Sequence, residues 1–324
     1  MKMNRYGRLI ASAAALLGAT LASHHAQALD KVHAGKAVAV AWSFLPLDVG
    51  VAEGIYAKYG LDVDITAFGG DAKLQQGLAS GSTDFGLGSG PGMAFVAKGA
   101  PVIAVAAFAT EPRNLSVIVG TDSPIHKVAD LKGKLIGVTT QGSLTDWLVH
   151  RLAATEGWGK NGVRTAALGP FDSQLAAMKT HQIDGMMVAT EAGYLLEEKH
   201  EGRIIVGMEK YAPKFHTHVV FARRELVEKN PDLVNRFLKG FFASIAFEKA
   251  NKEKTSEIAV KVLHETPTVA SRTWDYEISM LETDGHFDAQ AVEVLKESWL
   301  ELGMLDKKPS DDQLFTTKFL PVKP

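Results

Sequence analysis

Apolar and polar positions along residues 36–110 follow two alternating rhythms. The run 36–41 is valine and alanine after Lys36, and Leu61, Val63 and Ile65 alternate with polar neighbours, as in a strand with one covered face. Between them Val49, Ala52, Ile55, Tyr56 and Tyr59 recur at helical spacing until Gly60, which predicts one helix after the stop Trp42-Ser43-Phe44-Leu45-Pro46. Gly69-Gly70-Asp71 reads as the next loop, with Asp71 suited to cap a helix running to Ser80. Phe85 and Leu87 share one face of a strand over 83–87, Gly88-Ser89-Gly90-Pro91 ends it, and Pro91 opens a helix over 92–98. A further apolar strand covers 101–108. Strands alternating with helices in this way predict a parallel, doubly wound sheet, and ligands of such sheets bind at the carboxyl edge.

The rhythm then restarts. Strands are expected at 134–138, 163–168, 184–189 and 203–206, with helices carrying Leu144, Trp147, Leu148, Arg151 and Leu152, and then 174–180. Two βα series predict two similar α/β lobes. Beyond Pro213 one alternating strand, 215–222, precedes a chain that reads almost wholly as helix. Leu233, Phe237, Phe241, Ile245 and Phe247 mark a long apolar stripe over 231–252, and further helices are expected at 256–264 and 289–302. So apolar a helical set needs a surface to cover. The chain is therefore expected to cross back near 215–222 and lay its helices on the first lobe. The resulting division is 1–28 as a leader, 29–114 with 219–324 as lobe one, and 115–218 as lobe two, with a two-segment hinge and a cleft between them.

Composition narrows the function classes. A net charge of −2 over 324 residues gives no reason to expect nucleic acid or an anionic membrane as a partner. The absence of cysteine removes disulfides, thiolate metal sites and a thiol nucleophile. Lys2, Arg5 and Arg8 precede an apolar stretch over 9–21, and Ala26-Gln27-Ala28 follows as a small-x-small cleavage pattern. This predicts a removed secretory leader, a mature start at Leu29, and no lipid anchor, since no cysteine follows the apolar stretch.

Several pieces, in order, resemble the periplasmic solute-binding proteins of ABC importers that serve nitrate, sulfonates, taurine and thiamine-precursor pyrimidines. They are Glu53-Gly54-Ile55-Tyr56 with Tyr59-Gly60-Leu61-Asp62-Val63, and Leu78-Ala79-Ser80-Gly81-Ser82-Thr83-Asp84-Phe85-Gly86. Lys98-Gly99-Ala100-Pro101-Val102 and Asp130-Leu131-Lys132-Gly133-Lys134 follow, then Gly137-Val138 and Gly142-Ser143. The resemblance covers about 38–206 well and the helical tail loosely. It implies a two-lobed, hinge-bending fold, a small-molecule ligand, a membrane permease as partner, a periplasmic monomer, and no cofactor, metal or catalytic residue.

Recognition of a small ligand calls for helix N-termini and polar loops facing a cleft. The expected ligand contacts are Trp42, Ser43, Phe44, Gly70, Ser89 and Gly90 from lobe one, and Thr139, Thr140, Gly142, Ser143, Asp172 and Glu191 from lobe two. Trp42 and Phe44 serve equally as a flat wall or as plain core, and Ser143 with Asp146 fits a helix capping box as well as a docking loop. Arg113 reads as an anion fork or a solvated surface group. His216 and His218 share a strand face and read as cleft lining, as packing or, least of all, as a chelating pair. The ligand classes left open are sulfonate, carboxylate and pyrimidine-like rings, although no lysine or arginine occurs in these loops. An exported enzyme on the related pyrimidine-synthase-like fold is the alternative, but it lacks the cysteine motif, a G-x-S-x-G elbow and an H-E-x-x-H pair. A sensor partner of a membrane receptor would use the same cleft.

Overall fold

The computed structural model describes residues 28–159 and 161–324; the expected leader lies outside these described residues except for Ala28. The strands are β1 (Asp30–Lys36), β2 (Leu61–Ala67), β3 (Phe85–Ser89), β4 (Val102–Thr110), β5 (Leu115–Gly120), β6 (Leu135–Val138), β7 (Arg164–Ala167), β8 (Gly185–Ala189), β9 (Gly202–Gly207) and β10 (His216–Arg223). They form two five-stranded sheets, β2-β1-β3-β10-β4 and β7-β6-β8-β5-β9.

The two sheets share one plan. β1 runs parallel to β2 and β3, and β6 runs parallel to β7 and β8. The fourth position in each is antiparallel to both neighbours, and it is filled by the strand that has just crossed from the other sheet. This corrects the all-parallel expectation for a physical reason. A strand that enters its new sheet directly at the carboxyl edge, with no helix carrying it back along the sheet, must run against that sheet. The crossings are 111–114 and 208–215. They hold Glu111 and Lys214, two non-glycine residues with positive φ (44° and 49°), and the Glu111 N–H ties them together by donating to the Phe215 carbonyl at 3.2 Å. β10 belongs to the first sheet from His216 onward, so the return crossing precedes residue 219, where the boundary was expected.

Helices α1 (Leu45–Ala52), α2 (Ile55–Lys58), α3 (Asp71–Ser80) and α4 (Met93–Ala97) decorate the first sheet. The single helix expected after Pro46 is two, because Gly54 takes φ 61° between α1 and α2. The strand expected at 36–41 is a second correction. β1 ends at Lys36, and residues 37–41 leave the ladder, with the Ala37 carbonyl accepting from the Gly70 N–H at 2.8 Å. Helices α5 (Leu144–Thr155), α6 (Phe171–Lys179) and α7 (Thr190–Glu198) belong to the second sheet.

The tail forms α8 (Arg224–Lys229), α9 (Pro231–Ala250), α10 (Lys252–Leu263), α11 (Pro267–Glu277), α12 (Ala289–Glu301) and α13 (Asp311–Leu314). Asn230 caps α9 by accepting the Leu233 N–H, and Pro231 supplies a preset first turn. Its stripe covers the first sheet as expected. Phe237 stacks on Phe85 of β3 at 4.0 Å between ring centres, and Phe241 meets Phe108 of β4 edge-on at 5.0 Å. Burying each such ring stabilises by roughly 1.5–3 kcal/mol. One tail element does more, since α11 packs against α7 of the second sheet. Among the described residues no helix is long and apolar enough to cross a membrane.

Candidate functional site

Between the carboxyl edges of the two sheets lies a largely apolar cavity of about 160 Å³. Residues 37–41 and Phe44 form one wall, and Leu115, Leu144, Pro170, Phe171, Val188, Ala189 and Ala192 form the facing one. The run that reads as a strand by its β-branched composition is thus apolar for a different reason: Ala37 and Ala41 are buried, and Val38 and Val40 half-buried, along the cavity wall. Gly70, Asp71, Ser89, Asn114, Thr139, Thr145, Asp172, Gln174 and His218 bring the polar groups.

The lobes touch across this cavity, and Asp71 is the centre of that contact. Asp71 is the first residue of α3 rather than its cap, a position taken by Gly70, and this corrects the capping expectation. Gly70 holds φ 128°, which side-chain-bearing residues rarely adopt, so the carboxylate is turned inward instead of over its own helix end. There Oδ1 accepts the Ser89 N–H at 2.9 Å, and Oδ2 accepts the Ser89 hydroxyl at 2.7 Å and the Leu144 N–H at 3.4 Å. Leu144 opens α5, so a lobe-one carboxylate sits on a lobe-two helix N-terminus. Burial raises the Asp71 pKa above the usual carboxylate range, against the lowering effect of these three bonds.

In lobe two the hydroxyls of Thr139, Ser143 and Thr145 form a closed triangle, each pair 2.9 Å apart. The Thr139 N–H also donates to Thr145 Oγ1 at 3.0 Å. Ser143 is therefore the residue preceding α5 without capping it through its side chain, and Asp146 bonds the Gly142 N–H instead of closing the expected box. Deeper still, Asn114 donates to Ser43 Oγ at 3.1 Å and Gln174 donates to the Gly169 carbonyl at 2.9 Å. Asn114 Oδ1, Gln174 Oε1 and His218 Nδ1 are left without a partner among the described residues. Burial drives the His218 pKa down to about 3, which keeps its ring neutral, and Phe44 meets that ring edge-on at 4.7 Å.

Of the expected contacts, Phe44, Gly70, Ser89, Thr139 and Asp172 line the cavity. Ser43 and Ser143 stand one bond behind it, on Asn114 and on Thr139 and Thr145. Thr140 packs against Gly70, where an added Cβ would come within 2.6 Å of its methyl. Gly90 lies under the His216 carbonyl, and Gly142 faces a separate cleft shared with Gln141, Lys98 and His150. Trp42 and Glu191 meet each other instead. The Trp42 N–H donates to Glu191 Oε1 at 2.9 Å, and its indole donates to Glu265 at 3.0 Å. Arg113 pairs with Glu111 at 3.2 Å outside the cavity, and His216 accepts the Asp288 N–H. Asn114 and Gln174 carry no sequence signal of their own. Asn114 stands between Arg113 and the first residue of β5, and Gln174 follows Asp172 and Ser173 within α6.

Residues 42–254 match the family described as NMT1/THI5 like. A protein of Brucella abortus (strain 2308) designated a binding protein is 27% identical over 215 residues, which is 65% of this chain and 65%, under two thirds, of that protein. A Bacillus subtilis (strain 168) protein designated as binding aliphatic sulfonates is 26% identical over 245 residues, 74% of this chain and 72% of its own. Among solved structures, the alkanesulfonate-binding protein of Xanthomonas axonopodis pv. citri bound to MOPS superposes with a TM-score of 0.73 at 19% identity, covering 90% of this chain and 96% of that one. That likeness establishes the periplasmic-binding-protein fold.

Proposed function

The chain belongs to the NMT1/THI5-like family, and from that premise we propose that it is the solute-binding component of an ABC-type importer. It captures a small organic solute between its lobes in the periplasm and presents the closed form to a membrane permease. The observation that carries this reading is the cavity itself. It is enclosed by two sheets of one plan, walled with apolar residues, and bridged at its edge by Asp71 and Leu144. Small-ligand sites have this character, a preformed apolar cleft with a few placed polar groups, and closure about a hinge is how two lobes seal one.

Binding without turnover also fits the polar groups. Serine, aspartate and histidine all line the cavity, but in an order unsuited to hydrolysis. The Ser89 hydroxyl donates to Asp71, and it gives its lone pair to the Gly92 N–H at 3.0 Å. His218, the only residue of the three able to take a proton as a neutral base, bonds neither of them. The serine–histidine bond through which a triad activates its nucleophile is therefore not made, and the carboxylate that Ser89 does bond is itself held by the Ser89 and Leu144 N–H groups.

The test combines small-angle scattering with mass spectrometry on the protein screened against small solutes. A solute that binds should contract the particle as the lobes close, and it should be recovered chemically unchanged. A product, or binding with no change in dimensions, would sink the reading.

A further inference from the structure

We infer that the cavity takes an uncharged molecule of about the size of one ring, carrying an amide-type N–H edge, and that it rejects sulfonates, nitrate and carboxylates. The inference deepens the solute-binding reading above and rests on it. Size sets the first limit, because an apolar cavity of about 150 Å³ accommodates a benzene ring and little more, and this one is about 160 Å³.

The polar inventory sets the second. Two carboxamides at the cavity each leave an acceptor without a partner, Asn114 Oδ1 and Gln174 Oε1, and engage one N–H of the amide nitrogen in the bonds to Ser43 and Gly169, while the neutral ring of His218 leaves Nδ1 unpartnered. The hydroxyl donors are already engaged, Ser89 on Asp71 and the hydroxyls of Thr139 and Thr145 in their triangle with Ser143. A ligand that brings donors completes this set. One that brings only acceptors leaves buried polar atoms unpaired, which costs more than the bonds it could make.

Charge sets the third. No lysine or arginine lines the cavity. Lys36, beside the wall, is paired with Asp48 at 2.7 Å, and Lys73 is exposed. The four helices whose N-termini converge here could attract an anion through their free N–H groups. Each already carries its own carboxyl group in its first turn: Asp71 in α3, Asp146 in α5, Asp172 in α6 and Glu191 in α7. Ionised, these groups oppose an oxyanion; protonated, they add no positive charge to hold one.

Matched neutral and anionic molecules separate the alternatives. Benzamide, benzoate and benzenesulfonate, with acetamide, acetate and methanesulfonate as smaller counterparts, would be titrated calorimetrically into the whole protein at neutral pH. The amide of a set should bind about tenfold or more tightly than its oxyanions, because an uncompensated anion is costly to bury. An oxyanion that binds as well as its amide would overturn the inference, and so would a failure of every molecule to bind at millimolar concentration. Asp172→Asn, a change at an exposed position, should narrow the preference several-fold, and Asp71→Asn should do the same from inside. A preference unchanged in both would overturn the charge argument. An oxyanion that contracts the particle would refute this ligand class and leave the solute-binding reading standing, whereas a chemically altered amide would refute that reading.

Discussion

Two carboxyl groups fasten the lobes together, one from each side, and they are held in opposite ways. Asp71 reaches from lobe one to the Leu144 N–H of lobe two, and two further donors from Ser89 complete its shell. Glu191 reaches from lobe two to the Trp42 N–H of lobe one, but its neighbours are carboxyl groups. Burial, and then Glu265, push its pKa up to about 8; burial alone raises Glu265 to about 7, against the bond from the Trp42 indole. Glu277 is displaced well upward by burial and then by both of them. Glu191 Oε2, Glu265 Oε1 and both Glu277 oxygens have no partner among the described residues. Burial raises both carboxyl groups, but donors offset the rise at Asp71 and a neighbouring carboxyl group adds to it at Glu191.

The largest expected effect breaks the Asp71 side. Gly70 places that carboxylate, and a Cβ there would meet Thr140 at 2.6 Å in the opposite lobe as well as straining φ. Gly70→Ala should therefore wedge the lobes apart and weaken ligand binding by about tenfold or more, roughly 1.4 kcal/mol. Calorimetry on a bound solute, with scattering to read the particle dimensions, checks this. Unaltered affinity would mean that the seam between the lobes is not the closed contact seen here.

The Glu191 side is sharpened by titration. A carboxyl group whose pKa is raised on folding binds more protons folded than unfolded, so its contribution is present at low pH and lost as pH rises through the folded value. Stability should fall as pH rises from about 5 through about 8. The groups facing this cluster are Tyr194 and Glu197 from α7, with Arg272 and Glu277 from α11. Arg272 is occupied by Glu197 at 3.3 Å and by the Tyr194 ring, so it does not neutralise Glu191. Glu191→Gln should flatten the decline when melting temperature is followed across that range. A slope identical to that of the parent would assign the titration elsewhere.

Much of this arrangement was legible in the sequence, and the parts that were not share a cause. Period-two and period-3.6 patterns report which face of an element is buried, so the two βα series and the aromatic stripe of α9 were readable. The wall at 37–41 was misplaced because a cavity wall is as apolar as a strand, and an apolar pattern alone does not separate the two. β5 went unread because, at a crossing, Asn114-Leu115-Ser116 breaks the apolar run that would announce it. The carboxyl-edge loops supply both sides of the cavity, so Phe44, Gly70, Ser89, Thr139 and Asp172 fall on it, while Trp42, Gly90, Thr140, Gly142 and Glu191 do not. Which polar atoms remain free was beyond reach. Whether a hydroxyl faces a ligand or another hydroxyl depends on neighbours brought together only by the fold, as in the triangle of Thr139, Ser143 and Thr145.

Thr140 provides the smallest and most discriminating test. Sequence reasoning places its hydroxyl on the ligand, and loss of such a bond costs about 0.5–1.5 kcal/mol. In the structure Thr140 does not line the cavity; its methyl and hydroxyl lie against Gly70, and Oγ1 is buried with no partner. A buried hydroxyl without a partner is itself unfavourable, and valine has nearly the same shape without it. Thr140→Val should therefore leave affinity unchanged and hold or raise the melting temperature, with a stability change within about 1 kcal/mol. If binding weakens several-fold while melting is unaffected, the hydroxyl reaches the ligand in the bound state. The seam between Gly70 and Thr140 would then be part of the binding site.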